Sequence, residues 1–219
     1  MEERRIIIRN YNSKDRAAVE NIQLKTYLLG KPLDIKTKKW IHKGISYYLE
    51  KEPQSCFVAE DKGKVVGYLL GCLNDKNHEE KILSYLGKVY GKIPLLPFIH
   101  KSDRKFCLGL ISFMNSVLLG KSGDKKFTTP KNSGHIHINL LPVARDKGVG
   151  SRLLKTFFKY AQSNGVKIVH ADSFQTKLNP NTNFWIKNGF KEYSKVKTLM
   201  WKKYYPKEEI HLVCYYRKL

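Results

Sequence analysis

Arg145-Asp146-Lys147-Gly148-Val149-Gly150 is the stretch that decides the fold. It follows residues 134–142, Gly-His-Ile-His-Ile-Asn-Leu-Leu-Pro, and precedes residues 151–161, Ser-Arg-Leu-Leu-Lys-Thr-Phe-Phe-Lys-Tyr-Ala. The first flank alternates like a strand, and the second repeats its apolar residues at helical spacing. A strand, a short basic glycine turn and a helix together make a cradle for phosphate. The first turn of a helix leaves backbone N–H groups free and carries the positive end of the dipole. Glycines let that backbone close on a pyrophosphate without a Cβ in the way. A Gly-x-Gly turn alone is also an ordinary strand–helix connection. The basic residues in the loop and the elements on either side point to phosphate.

Two common nucleotide loops are excluded. Gly-x4-Gly-Lys-Ser/Thr is absent, and a dinucleotide fingerprint would need glycine near position 153, where Leu153 stands. The segment instead resembles Arg/Gln-x-x-Gly-x-Gly/Ala, the acyl-CoA pyrophosphate loop of the GNAT superfamily of N-acyltransferases. Phe184-Trp-Ile-Lys-Asn-Gly-Phe190 resembles the superfamily's Phe-Tyr-x-x-x-Gly-Phe segment, in the expected order and separation. Together the two motifs cover residues 134–191. They imply an α+β fold whose central, mostly antiparallel sheet splays between strands 4 and 5. They also imply acetyl-CoA as co-substrate, and they leave the acyl acceptor open.

Length and composition agree with one such domain over residues 1–219. At 42% hydrophobic and 12% aromatic, the 219 residues can bury a sizeable core. No apolar run is long enough for a membrane span, and the start lacks the apolar region of a signal peptide. The expectation is a cytoplasmic protein, monomeric or homodimeric. Cys56, Cys72, Cys107 and Cys214 have no Cys-x-x-Cys spacing and read as free, buried thiols, with no metal site expected. The net charge of +22 would suit a polyanion such as nucleic acid. It is spread along the whole chain, however, and lysines outnumber arginines 33 to 8, whereas phosphate and base readout favour the arginine fork. A lysine-rich solvated surface is the preferred account, and nucleic acid is not favoured.

Periodicity gives the element order. Residues 5–9 read as a strand, followed by a helix capped by Ser13 with apolar positions at Ala18, Val19, Ile22 and Leu29. A second helix is expected over residues 36–49, strands over 55–60 and 65–73, and a hairpin turn at 61–64. This opening matches the start of a GNAT domain. Residues 74–133 depart from it and read as a helical insertion between strands 3 and 4. Helical spacing is seen over 82–90 and 108–118, and a loop over 121–133. Such a link is often a lid or binding element, or it merely covers the sheet. Beyond the loop come a helix at 149–163, a strand at 166–172, a short helix near 181–188, and closing strands within 190–201 and 211–217.

The site follows from the resemblance. Ile138, Leu140, Leu141 and Val143 would offer backbone groups to pantetheine and the acetyl carbonyl. Arg145, Asp146, Lys147, Gly148, Val149, Gly150, Ser151 and Arg152 would hold the pyrophosphate. Asn179 or Asn183, with Phe184 and Lys187, would touch the far side of CoA. Strand alternation sets His135, His137 and Asn139 on one face, and His137 is the candidate base for an attacking amine. A buried histidine satisfied by its neighbours is the competing reading. The wording His-x-His-Ile-x-Leu-Leu-Pro also resembles acetyltransferase-like domains related to the C-terminal part of O-GlcNAc hydrolases, with Asn139 in place of the acid. Glu60, His170 and Asp172 are secondary candidates. Trp185 stands where the superfamily often has the tyrosine that protonates the thiolate, which leaves Tyr193 as a candidate acid. Three functions compete: an N-acetyltransferase acting on a primary amine of a small molecule or peptide, a non-catalytic acyl-CoA or polyanion-binding module, and an acetyltransferase acting on an RNA-associated substrate.

Overall fold

The computed structural model describes residues 6–76, 80, 91, 93–115, 127–177 and 181–219. The chain opens with β1 (Ile7–Asn10), α1 (Arg16–Thr26), α2 (Lys39–Lys51), β2 (Cys56–Asp61) and β3 (Lys64–Cys72). After α3 (Lys101–Phe113) come β4 (Gly134–Leu140), α4 (Val149–Ser163), β5 (Ile168–Gln175), α5 (Thr182–Lys187), β6 (Lys191–Lys197) and β7 (His211–Lys218). The strands form one mixed sheet in the order β1-β2-β3-β4-β5-β7-β6. Its pairs are antiparallel except β4 with β5.

Two apolar layers sandwich the sheet. On one face, Leu153, Leu154, Phe157, Phe158 and Ala161 of α4 pack on Phe57, Ala59, Leu69, Ile136, Val169 and Ala171. The other face carries α1 and α2, whose Val19, Ile22, Ile45 and Tyr48 cover Val58, Tyr68, Leu70 and Cys72. Glycines in β3 permit close approach. A Cβ on Gly71 would fall 2.1 Å from the Phe157 ring, and one on Gly67 would fall 2.2 Å from Leu140.

Several element ends move from their sequence positions. Asn12, not Ser13, caps the first helical turn, and it forms a capping box with Asp15. Asp15 can serve because Arg9 reaches across to it at 2.7 Å. α1 stops at Thr26, and Leu29 lies beyond it in a left-handed turn with Gly30. α2 begins three residues later than the periodicity suggests, because Asp103 of α3 takes the Lys36 and Thr37 amides for itself. β5 runs on to Gln175 because β7 continues to pair with it. β6 is shorter than its apolar pattern, since Met200 and Trp201 leave the sheet to pack under α3.

Residues of the insertion lie between β3 and β4 as expected. The helical pattern at 82–90 falls outside the described residues, as do 116–126. α3 is described, and its Phe106 and Leu110 share a core with Ile41, Trp201 and Ile210. The insertion therefore builds on the α1–α2 side of the sheet.

Candidate active site

β4 and β5 are neighbours for only two residue pairs, Gly134 with Val169 and His135 with His170. Continuing that register would set His137 beside Asp172, but the strands have parted by then. β4 stays in full register with β3 through Leu140, so the separation opens on its β5 side. Burial follows the split, with residues 133–136 buried and 137–140 only partly so. This is the splay that the resemblance implied.

The chain beyond β4 leads to the N-terminus of α4. Gly148 is its N-cap, with φ +68, and no side chain caps the helix. Gly148 has open space where a Cβ would stand, so its role is conformational. Gly150 differs: a Cβ there would lie 2.8 Å from Phe184, so its bareness admits the α5 ring. Val149 and Gly150 are buried in the first turn, with Ser151 partly so. Asp146 also takes positive φ, 58°, which tightens the turn.

The two arginines of the loop are committed to the backbone. Arg145 donates to Leu140 O at 3.1 Å and to Gly30 O at 3.3 Å, stapling the loop to the turn after α1. Arg152 donates to Ile6 O at 2.6 Å, beside β1. Backbone amides and the exposed Lys147 are thus the loop's groups best placed for phosphate. Leu141 donates its own N–H to Val66 O, and Val143 is exposed. Asn183 and Lys187 are exposed on α5, whereas Asn179 falls outside the described residues. Sequence reading passed over Asn181, which donates to Ser173 Oγ at 2.5 Å across the β5–α5 turn.

The polar row on β4 has partners from other elements. Asn139 donates to the Tyr68 hydroxyl at 2.8 Å, and His137 Nδ1 lies 3.4 Å from the same oxygen. The Tyr68 and His137 rings stack 5.7 Å apart. His135 Nδ1 is 2.5 Å from the Tyr48 hydroxyl of α2. Burial pushes both phenols above their ordinary range, so both keep their protons. Behind them His170 Nε2 faces the buried Asp75 at 3.2 Å, and His135 Nε2 faces Asp172 at 3.9 Å.

Other candidates are elsewhere. Tyr193 lies on β6, three strand spacings or about 14 Å from β4. It is 46% exposed against Tyr216, so it cannot serve as the acid at the splay. Glu60 pairs with Arg9 at the β1–β2 edge. All four cysteines are free and buried. Burial raises the Cys72 thiol, which argues against a covalent route. Trp185 is buried and stacks on Tyr215 at 5.7 Å.

No family model matches the chain, and no curated protein does. Solved structures do match. SsHAT is 21% identical over 97% of this chain and 98% of its own, with a TM-score of 0.60. An agmatine N-acetyltransferase is 15% identical over 98% and 99%, also with a TM-score of 0.60. The Drosophila melanogaster polyamine N acetyltransferase, which forms N-acetylagmatine, is 14% identical over 98% and 100%, with a TM-score of 0.58. The likeness is one of fold: the chain has the GNAT fold of these N-acetyltransferases.

Proposed function

We propose that the protein is an N-acetyltransferase that moves the acetyl group of acetyl-CoA to a primary amine by direct attack in a ternary complex. The observation that carries this reading is the splay of β4 from β5 beside the uncapped N-terminus of α4. The left-handed Gly148 turn leaves room for a pyrophosphate against the first-turn amides. Acetyl-CoA would supply an activated acyl group on a good leaving group. The β4 edge freed by the splay is the source of hydrogen bonds for pantetheine and the acyl carbonyl.

In this scheme the amine attacks from the α1–α2 face, where His137, Asn139 and Tyr68 lie. His137 accepts the amine's proton on Nε2, with its Nδ1–H held by the Tyr68 oxygen and Tyr68 held by Asn139. The C–N bond forms, the C–S bond breaks, and the thiolate takes a proton from solvent. Agmatine and polyamines, the acceptors named for two structural neighbours, are the first amines to try. The insertion, built on this face, would wall the acceptor side. Thiol release from acetyl-CoA, followed with a panel of amines, tests the proposal. Amine-dependent release supports it.

A second reading has one observation in its favour. Trp185 holds the tyrosine position and Tyr193 lies far from the splay, so neither supplies the tyrosine acid of the superfamily's motif. A non-catalytic acyl-CoA-binding module would bind acetyl-CoA and release no thiol with any amine.

A further inference from the structure

The geometry points to Asp172 as the carboxylate that binds the acceptor's ammonium group, with His135 as a positioning residue behind it. The substrate role rests on the transferase reading, but the binding site can be tested without turnover. Val169 and Ala171 are buried under α4, so alternation turns His170, Asp172 and Phe174 to the opposite face, the face of His135 and His137. There a buried set of histidines ends in one exposed carboxylate.

Hydrogen-bond bookkeeping orders the set. Ser133 donates its hydroxyl to Pro130 O at 2.6 Å, so its oxygen receives His170 Nδ1–H at 2.9 Å. His170 Nε2 faces Asp75 at 3.2 Å, and both groups are buried, so this part of the set looks inward. The protonated Tyr48 hydroxyl and His135 Nδ1 share a hydrogen bond at 2.5 Å, which fixes the ring with Nε2 toward Asp172. Across the β5–β7 register the Cys214 thiol is hydrogen-bonded to Asp172, and burial with that carboxylate's charge keeps the thiol protonated. Asp172 is thus aimed by groups behind it and solvated in front.

Its position suits an amine. Asp172 is two residues past the last β4–β5 pair, at the mouth of the splay. Phe174, on the same face, packs with Phe113 of α3 at 6.5 Å. An ammonium head on the carboxylate would place an alkyl stem toward these rings. A metal ion suits the cluster less well. Its ligand atoms lie within 4.8 Å of one another, and His135 and Asp172 are 3.9 Å apart. Tetrahedral zinc bonds of about 2.1 Å would require spacings of about 3.4 Å. An ammonium reaches its acceptors at about 2.8 Å.

The test uses n-butylamine and 1,4-diaminobutane, titrated calorimetrically into wild type, Asp172→Asn, Asp172→Glu and His135→Asn. Equimolar Zn²⁺ forms a separate arm. Asp172→Asn should weaken amine binding about tenfold or more, the scale of a lost charged hydrogen bond. Asp172→Glu should recover part of it, and acetyl-CoA affinity should stay within about twofold. In turnover the loss should fall on amine KM, and His135→Asn should show a smaller loss of the same kind. Amine binding that survives Asp172→Asn overturns the inference, as does tight zinc binding that His135→Asn abolishes. Wild type that binds butylamine through Asp172 but never acetylates it overturns the transferase reading alone.

Discussion

Replacing Gly148 with alanine isolates the conformational demand of the loop. Its φ of +68 puts the residue in the left-handed region, and no atom lies within 4 Å of a new Cβ. The cost is therefore backbone strain of about 1–2 kcal/mol rather than a clash. For a domain of this size, that strain kept in the folded state lowers Tm by about 2–8 °C. If the loop relaxes instead, the amides leave their cradle and acetyl-CoA affinity drops, about tenfold for each 1.4 kcal/mol. The cost must surface in one measurement or the other. Gly148→Asn should lose less, since asparagine tolerates this region better. Gly150→Ala acts by another route. Its Cβ pushes the Phe184 ring, at about 1–3 kcal/mol of overpacking, partly offset by about 1 kcal/mol of helix propensity. Thermal melts with and without acetyl-CoA read both quantities, because the ligand-induced shift reports affinity. Gly148→Ala with unchanged Tm and unchanged acetyl-CoA affinity would refute the account of the loop.

Three further outcomes are expected. His137→Ala should lower amine-dependent turnover by about 10²-fold or more with acetyl-CoA affinity preserved, and normal turnover would make that histidine structural. The four thiols should resist a disulfide reagent at pH 8 in the native protein, since burial pushes Cys56 up to about 12 and raises Cys72 and Cys214 as well. All four should react in denaturant, and rapid native labelling would contradict their burial. The Arg9 hydrogen bond is the largest influence holding the Asp15 carboxyl below its ordinary value, against the cost of burial. Its stabilisation is therefore present above the unfolded pKa of about 3.9 and is lost as pH falls through the lower folded value. Arg9→Gln should flatten that acid limb in melts taken between about pH 5 and pH 2, and an unaltered profile would show the pair to be inert.

Much of this protein is legible without coordinates because its information is local. The cradle needs a strand, two glycines and a helix start within twenty residues, and alternation alone puts His135, His137 and Asn139 on one face. The end of the helix after residue 163 and the hairpin turn at 61–64 are local too, and Gly165 and Gly63 show the positive φ that glycine permits. Tertiary structure decided what those residues do. Tyr48 meets His135 across 87 residues and Tyr68 meets His137 across 69, contacts that depend on helix placement and sheet register. Arg145 looks like a phosphate ligand in the sequence, yet a carbonyl 115 residues away takes its guanidinium. Tyr193 looks close to the Phe-Trp motif in the chain, but β7 inserts between β5 and β6 and carries it to the sheet edge. The surroundings of Asp172 are not legible in the sequence because its neighbours His135 and Cys214 come from two other segments. Periodicity records which way a side chain faces. What it faces is fixed only when distant segments pack.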